Sequence, residues 1–135
     1  MAYREHYESF TAAEVANTSA VTWATQSSLT FTPASGADYI VFWSVELTND
    51  TTATRDIKCR VWDGTTALAA FNMEPRDANN YYPLAQNFFK LTGAGASVSL
   101  ELQIQCETAG DDCKARNGAF TVIRLGANDR YAENL

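Results

Sequence analysis

Basic residues and histidine are scarce in this sequence, and both shortages restrict its function. It has 10 Lys and Arg against 16 Asp and Glu, which gives a formal net charge of −6 at pH 7. Binding to nucleic acid needs a basic stripe that releases counterions from phosphates, and anionic membranes likewise attract basic segments. The densest basic cluster here is Arg55, Lys58 and Arg60, and two aspartates dilute it. We therefore expect neither a nucleic acid nor a membrane among the partners.

Side chains for acid–base or metal chemistry are equally few. The only histidine, His6, has no cysteine or aspartate near it in the sequence, and none of the lysines lies in a catalytic motif. Asp111 and Asp112 could join Glu107 around calcium, but the ligand spacing of a calcium loop is missing, which favours a solvated acidic loop. We expect no enzyme activity, no metal and no cofactor.

Long apolar runs are also missing. No uninterrupted run approaches the ~20 residues that span a bilayer as a helix, and the first residues lack the pattern of a signal peptide. We expect a soluble cytoplasmic product, unless another route exports it.

The cysteines form an odd set of three, Cys59, Cys106 and Cys113. They lack the paired spacing and the histidine neighbours of a zinc site. Cys59 and Cys106 fall on the apolar side of their segments and are predicted to be small core residues. Cys113 follows two aspartates in a polar loop, where we expect it to be accessible. Three states stay open: free thiols, which a reducing cell favours; a Cys113–Cys106 bond that leaves Cys59 unpaired; and a bond from Cys113 to another chain.

Residues that suit β-strands are abundant, and they alternate with polar ones. Hydrophobic residues make up 46% of the chain, with many of the β-branched and aromatic types that fit a pleated surface. Residues 38–49 and 97–107 alternate most clearly, and polar turns separate them from shorter segments of the same kind. About seven or eight strands with no helical run between them predict an all-β, antiparallel sandwich of jelly-roll type.

The two ends of the chain lack this alternation. We predict an N-terminal arm at 1–20, the sandwich at 21–126 and a polar C-terminal tail at 127–135. Tyr3, Tyr7 and Phe10 are spaced nearly as on a helix, and residues 11–14 match a capping pattern for a short helix. The arm is either a disordered leader or a segment whose aromatic side chains dock on a neighbouring surface.

Three segments carry a resemblance to a known family. They are LTFTPASGADYIVFWSVEL at 29–47, SVSLELQIQ at 97–105 and GAFTVIRL at 118–125. Their layout resembles the small jelly-roll capsid decoration (cement) proteins of tailed bacteriophages and, more loosely, the trimeric jelly rolls of the tumour necrosis factor type. The resemblance covers about residues 21–126 and is one of pattern.

The resemblance implies a structural virion protein on the capsid surface. Its partners would be other copies of itself, with a trimer as the favoured number, and the major capsid protein, whose shell it would stabilise. The arm residues Tyr3, Tyr7 and Phe10 would bind the capsid. Ile40 and Phe42, on the second face of the strand at 38–49, would contact another subunit, or else the chain's own arm or its link at 72–86 would cover them.

A different class of function stays open as an alternative. Four aromatic residues could form a platform that stacks on sugars: Trp23, Trp62, Tyr81 and Tyr82. The chain would then be a carbohydrate- or receptor-binding jelly-roll module of a tail fibre or spike. Tyrosine and tryptophan are equally common at protein interfaces, and we therefore rank sugar binding below protein contact.

Overall fold

The computed structural model describes residues 5–51, 54–75 and 82–126, and the regular structure in them is all β-strand. The strands are β1 (His6–Thr11), β2 (Val15–Asn17), β3 (Ala24–Phe31), β4 (Asp38–Asn49), β5 (Ile57–Trp62), β6 (Ala67–Met73), β7 (Leu84–Thr92), β8 (Val98–Cys106) and β9 (Cys113–Leu125). This part of the chain contains no helix long and apolar enough to cross a membrane.

The strands form two antiparallel sheets that pack face to face. The front sheet has the order β1–β9–β4–β7, and β2 also pairs with β9. β1 pairs with residues 118–123 of β9 and β2 with residues 113–115, so the two lie end to end along one edge of β9. The back sheet has the order β3–β8–β5–β6. With β1 and β2 counted as one interrupted strand, each sheet has four strands, as in a jelly roll. The predicted fold class is confirmed.

Alternation along the strands builds the core. β4 occupies the predicted range, and its inward side chains from Tyr39 to Leu47 are all nearly or fully buried. β8 contributes Leu100, Leu102 and Ile104 from the back sheet, each at most 1% exposed. Because side chains of a strand point to opposite faces in turn, each sheet presents one face to the core and one outward.

The segment predicted as an arm contributes two strands to the front sheet. β1 pairs along its whole length with β9, and residues 11–14 connect β1 to β2 without a helix. Tyr7 points inward, with its ring centroid 4.8 Å from that of Phe31, whereas Phe10 points outward. The edge of β9 offers unpaired backbone groups, and pairing with β1 satisfies them. Tyr3 and the tail at 127–135 lie outside the described residues.

β9 is longer than the apolar run at its end indicates. It begins at Cys113, and the polar stretch before Phe120 belongs to it. Within this polar stretch, Asn117 has a left-handed backbone with a φ of 52°. At the next residue, a β-carbon on Gly118 would stand 1.7 Å from the side-chain oxygen of Gln26. A glycine is required there because the Gln26 amide lies against the backbone and donates to the carbonyls of Thr11 and Ala13.

The prediction that Cys113 is accessible was wrong. Cys113 is completely buried, because strands flank it on both sides: it pairs with Asn17 of β2 and with Asn49 of β4. The adjacent loop is less solvated than expected as well. Asp111 is 1% exposed and accepts hydrogen bonds from Arg55, at 2.7 Å, and from Asn49, at 3.1 Å. Within the described ranges, no three acidic, histidine or cysteine side chains are grouped to hold a metal ion.

Candidate functional site

The outward side of the front sheet carries an unusual number of uncovered apolar side chains. Phe10 is 67% exposed, Phe88 61%, Leu84 57% and Phe42 45%. We call this surface the front-face patch, and it comprises Phe10, Ile40, Phe42, Leu84, Phe88, Ala119 and Ile123. Soluble monomers rarely leave such side chains contiguous and uncovered, so a patch of this kind marks a contact surface.

Strand register brings the patch together from four strands. Phe42 of β4 lies opposite Phe88 of β7, with ring centroids 5.8 Å apart, and opposite Thr121 of β9 on its other side. One row further, Ala119 of β9 lies between Ser44 of β4 and Phe10 of β1. Phe42 and Phe88 are therefore neighbours, and Phe10 lies on the same face across β9, although the three are far apart in sequence.

A shallow trough runs between these aromatic side chains. Ser44, Ala119 and Thr121 form its floor, and Phe42 and Phe88 form one wall. A second depression shares Ala119 and Thr121 and has Phe10 on its far side. Small residues in the middle and aromatic residues at the sides make the patch concave, so that a partner of complementary shape can fit into it.

Charged residues at the ends of the patch are already paired within the chain. Lys90 lies 2.8 Å from Asp38 at one end, and Arg116 lies 2.6 Å from Glu46 at the other. Hydrogen bonds from Lys90 and Thr92 hold the pKa of Asp38 below its ordinary value. Glu8 of β1 also lines the depression beside Phe10, with its side chain 73% exposed. A partner that covers the β1 side of the patch therefore has to accommodate this carboxylate.

Of the predicted contact residues, the structure brings Phe10, Ile40 and Phe42 onto one face. Tyr7 is on the opposite side of β1, where it packs against the core. Sequence reasoning missed Leu84, because residues 72–86 were interpreted as an irregular link. Phe88 lies in the short strand predicted at 87–91, but its pairing with β4, which brings it into the patch, could not be predicted.

The outward side of the back sheet is closed by its own side chains. The guanidinium of Arg60 lies between two indole rings, 4.1 Å from the centroid of Trp23 and 4.0 Å from that of Trp62. Its Nε donates to Gln103 at 2.8 Å, and Gln103 in turn donates to Glu101 at 2.6 Å. We call this group the back-face stack.

The residues of the sugar-platform alternative do not meet on one surface. Trp23 and Trp62 each have one ring face covered by Arg60 on the back sheet. Tyr82 lies elsewhere, with Arg116 3.7 Å above its ring and its hydroxyl donating to Glu14 at 2.6 Å. Burial, together with that hydrogen bond, raises the pKa of Tyr82 to about 12. Tyr81 lies outside the described residues.

Comparison of the sequence with models of protein families and with curated proteins finds no match. Solved structures show the fold. VP2 of infectious bursal disease virus, in a subviral particle, has a TM-score of 0.57 at 12% identity over 94% of this chain and 34% of that chain. The insecticidal delta-endotoxin Cry8Ea1 from Bacillus thuringiensis has a TM-score of 0.51 at 12% identity over 84% of this chain and 20% of the toxin. Dimeric latent PorU from Porphyromonas gingivalis has a TM-score of 0.53 at 8% identity over 90% of this chain and 13% of that chain.

These similarities establish a jelly-roll-like sandwich. The chain spans about a third of the viral capsid protein and less of the toxin and of PorU. Because proteins with such different names share the fold, function has to be argued from the surface of this chain.

Proposed function

We propose that this protein is a structural virion protein, which binds the surface of a bacteriophage capsid as a homo-oligomer and stabilises the shell. The front-face patch carries the proposal. Its aromatic side chains are more than two-fifths exposed, and each square ångström of apolar surface that a partner covers contributes about 25 cal/mol. The protein acts by contact, without catalysis and without a cofactor.

Two further observations support the proposal. The fold is similar to that of a viral capsid protein, and the sequence resembles phage decoration proteins over about residues 21–126. The chain also carries a net charge of −6, which disfavours the packaged nucleic acid as its binding partner and suits a position outside the shell.

The copies contact one another through the front-face patch, with three as the favoured number. Phe42 and Phe88 form the centre of this contact, and Phe10 and Ile40 lie beside them. The N-terminal segment faces the shell. Since Tyr7 is packed against Phe31, its part is to hold β1 on the sheet, and we assign the contact with the major capsid protein to Tyr3.

The experiment compares a charged front face with a charged back face. The test variant is Phe42→Asp with Phe88→Asp, and the matched control is Thr30→Asp with Ala70→Asp, two exposed positions on strands of the back sheet. Light scattering should give an oligomer for the wild type and the control and a monomer for the test variant. Co-sedimentation with capsid shells that lack the protein should follow the same pattern.

Point variants are preferable here to deletion of residues 1–20. That deletion would remove β1 and β2 and expose the edge of β9, so a loss of binding would also follow from misfolding. A wild-type protein that stays monomeric at every concentration and does not bind shells would contradict the proposal. Oligomers that survive in the test variant would refute the assignment of the contact to the front-face patch.

A further inference from the structure

We propose that Cys106 and Cys113 form a dithiol that oxidation closes into an intrachain disulfide, which ties the back sheet to the front sheet. Cys106 is the last residue of β8 in the back sheet, and Cys113 is the first residue of β9 in the front sheet. The inference concerns a modification site and does not depend on the proposed capsid role.

Hydrogen bonds place the Cys106 thiol beside Cys113. Its Sγ lies 2.8 Å from the carbonyl oxygen of Asn17, and Asn17 is the residue that faces Cys113 in the β2–β9 pair. Residues that face each other across an antiparallel pair have Cα atoms about 4.5–5.5 Å apart. The same sulfur lies 3.3 Å from the carbonyl oxygen of Asp111, two residues before Cys113. The Cys106 thiol thus touches backbone on both sides of Cys113.

The two thiols also interact directly. Burial raises the pKa of the Cys113 thiol above its ordinary value, and a hydrogen bond with Cys106 raises it further. Disulfides join residues whose Cα atoms are about 4.4–6.8 Å apart, and the contacts of the Cys106 thiol place the two cysteines close enough for us to propose closure. The connecting residues 107–110 are exposed and can supply that movement.

Burial and register argue against a bond to another chain and against a Cys59–Cys106 bond. Cys106 and Cys113 are both completely buried, so a thiol of another chain cannot reach either one while the sandwich is intact. Cys59 pairs with Ile104, and Ile57 is the residue that faces Cys106. Cys59 is therefore a diagonal neighbour of Cys106, and diagonal residues lie about 7–8 Å apart. That separation is unfavourable for a disulfide, and we propose that Cys59 remains a thiol.

The oxidant is a small disulfide such as oxidised glutathione. When the loop opens, the thiolate of one cysteine attacks the small disulfide, forms a mixed disulfide and releases one small thiol. The thiolate of the other cysteine then attacks the protein sulfur and releases the second small thiol. Two protein thiols are oxidised, and one small disulfide is reduced to two thiols. Since both protein thiols are buried, the rate should follow the rate of loop opening.

The bond should raise the temperature of unfolding. It closes a loop that runs from Cys106 to Cys113 and joins strands of opposite sheets, and a cross-link removes conformational freedom from the unfolded chain. A shift of several degrees is expected, and it should disappear when dithiothreitol is added.

The test incubates the purified full chain with oxidised glutathione and follows thiol titration, intact mass and peptide mapping. We expect the thiol count to fall from three to one, the mass to fall by two hydrogen atoms, and mapping to join Cys106 to Cys113. Cys59→Ala should keep the response, and Cys106→Ala should lose it. Mapping of the wild type needs no variant, so the test stands even if Cys106→Ala fails to fold.

Three results would overturn the proposal. They are an unchanged thiol count in mild denaturant that opens the loop, a bond that involves Cys59, and a ladder of cross-linked chains on non-reducing gels in place of a single band.

Discussion

The outward sides of the two sheets differ although the same alternation generates both. On the back sheet, the aromatic rings of Trp23 and Trp62 are half-buried because Arg60 lies between them. On the front sheet, Phe42 and Phe88 contact each other, and among the described residues both remain more than two-fifths exposed. Side chains of the chain itself cover the aromatic rings on the back face, whereas the described part of the chain leaves those on the front face largely uncovered.

The difference separates two uses of aromatic residues in one sandwich. The back-face stack contributes to the stability of the isolated chain through cation–π contacts and a hydrogen-bond network. In the function that we propose, the front-face patch contributes little to the isolated chain and stabilises it on association. Substitutions on the two faces should therefore change different measurements.

The largest effect should come from a phenylalanine of the front sheet whose side chain points into the core. Phe120 is 1% exposed, whereas Phe88 on the same sheet is 61% exposed. Phe120→Ala should lower the free energy of unfolding by about 3–5 kcal/mol. Phe88→Ala should change it by less than about 0.5 kcal/mol. Both values can be measured by urea unfolding at a protein concentration where light scattering shows monomers. Equal losses of unfolding free energy would contradict the view that the patch does not stabilise the monomer.

An intermediate effect is expected on the back face. Arg60→Ala removes two cation–π contacts and the hydrogen bond to Gln103, and it should cost about 1–2 kcal/mol. Lys58→Ala, at the neighbouring outward position of β5, should stay within about 0.5 kcal/mol. Neither substitution should alter the oligomer in light scattering. A change of oligomeric state in Arg60→Ala would mean that the back face is a contact surface as well.

The smallest effect concerns pH. The hydroxyl of Tyr39 donates to Glu5 at 2.6 Å and, with Arg124, holds the pKa of Glu5 below its ordinary value of 4.5. In the β5–β6 turn, the backbone amides of Thr66 and Thr65 hold the pKa of Asp63 below 3.8. A carboxyl with a lowered pKa in the folded chain stabilises it fully above its unfolded pKa and loses that contribution as the pH falls through its folded pKa.

We expect Glu5→Gln and Asp63→Asn each to destabilise the chain near neutral pH and to converge with the wild type in acid. The gap for Glu5→Gln should begin to shrink below about 4.5, and the gap for Asp63→Asn below about 3.8. Melting temperatures measured from neutral to acidic pH in one low-salt buffer series check both. A gap that is independent of pH would show that the carboxylate charge does not contribute.

Local alternation was enough to predict the main strands and the fold class. β4 has the predicted bounds, and β8 lies within the predicted 97–107. It was not enough for β7 and β9, whose polar residues resemble a link and a turn. Those residues become strand because β4 lies beside both and offers backbone partners along their whole length. Propensity is a weak guide where a central strand dictates pairing.

The candidate site was predicted only in part, because local alternation does not show which strands lie side by side. The second face of β4 could be recognised from Ile40 and Phe42 alone, since every alternate position from Tyr39 to Leu47 already supplied an apolar inward face. Phe88 could not be joined to them without knowing that β7 pairs with β4. The burial of Cys113 was missed because β2, which covers it, contributes only Val15–Asn17 and has no alternating pattern of its own.

The sequence by itself determined the all-β class and the inward residues of the clearest strands, because these follow from neighbours along the chain. Only the tertiary structure decided the strand order, the placement of Phe10, Phe42 and Phe88 on one face, and the burial of Cys113. Each of these depends on hydrogen-bond pairing between strands far apart in sequence. The period of a single strand shows which side chains share a face but carries no information about which strand lies next to it.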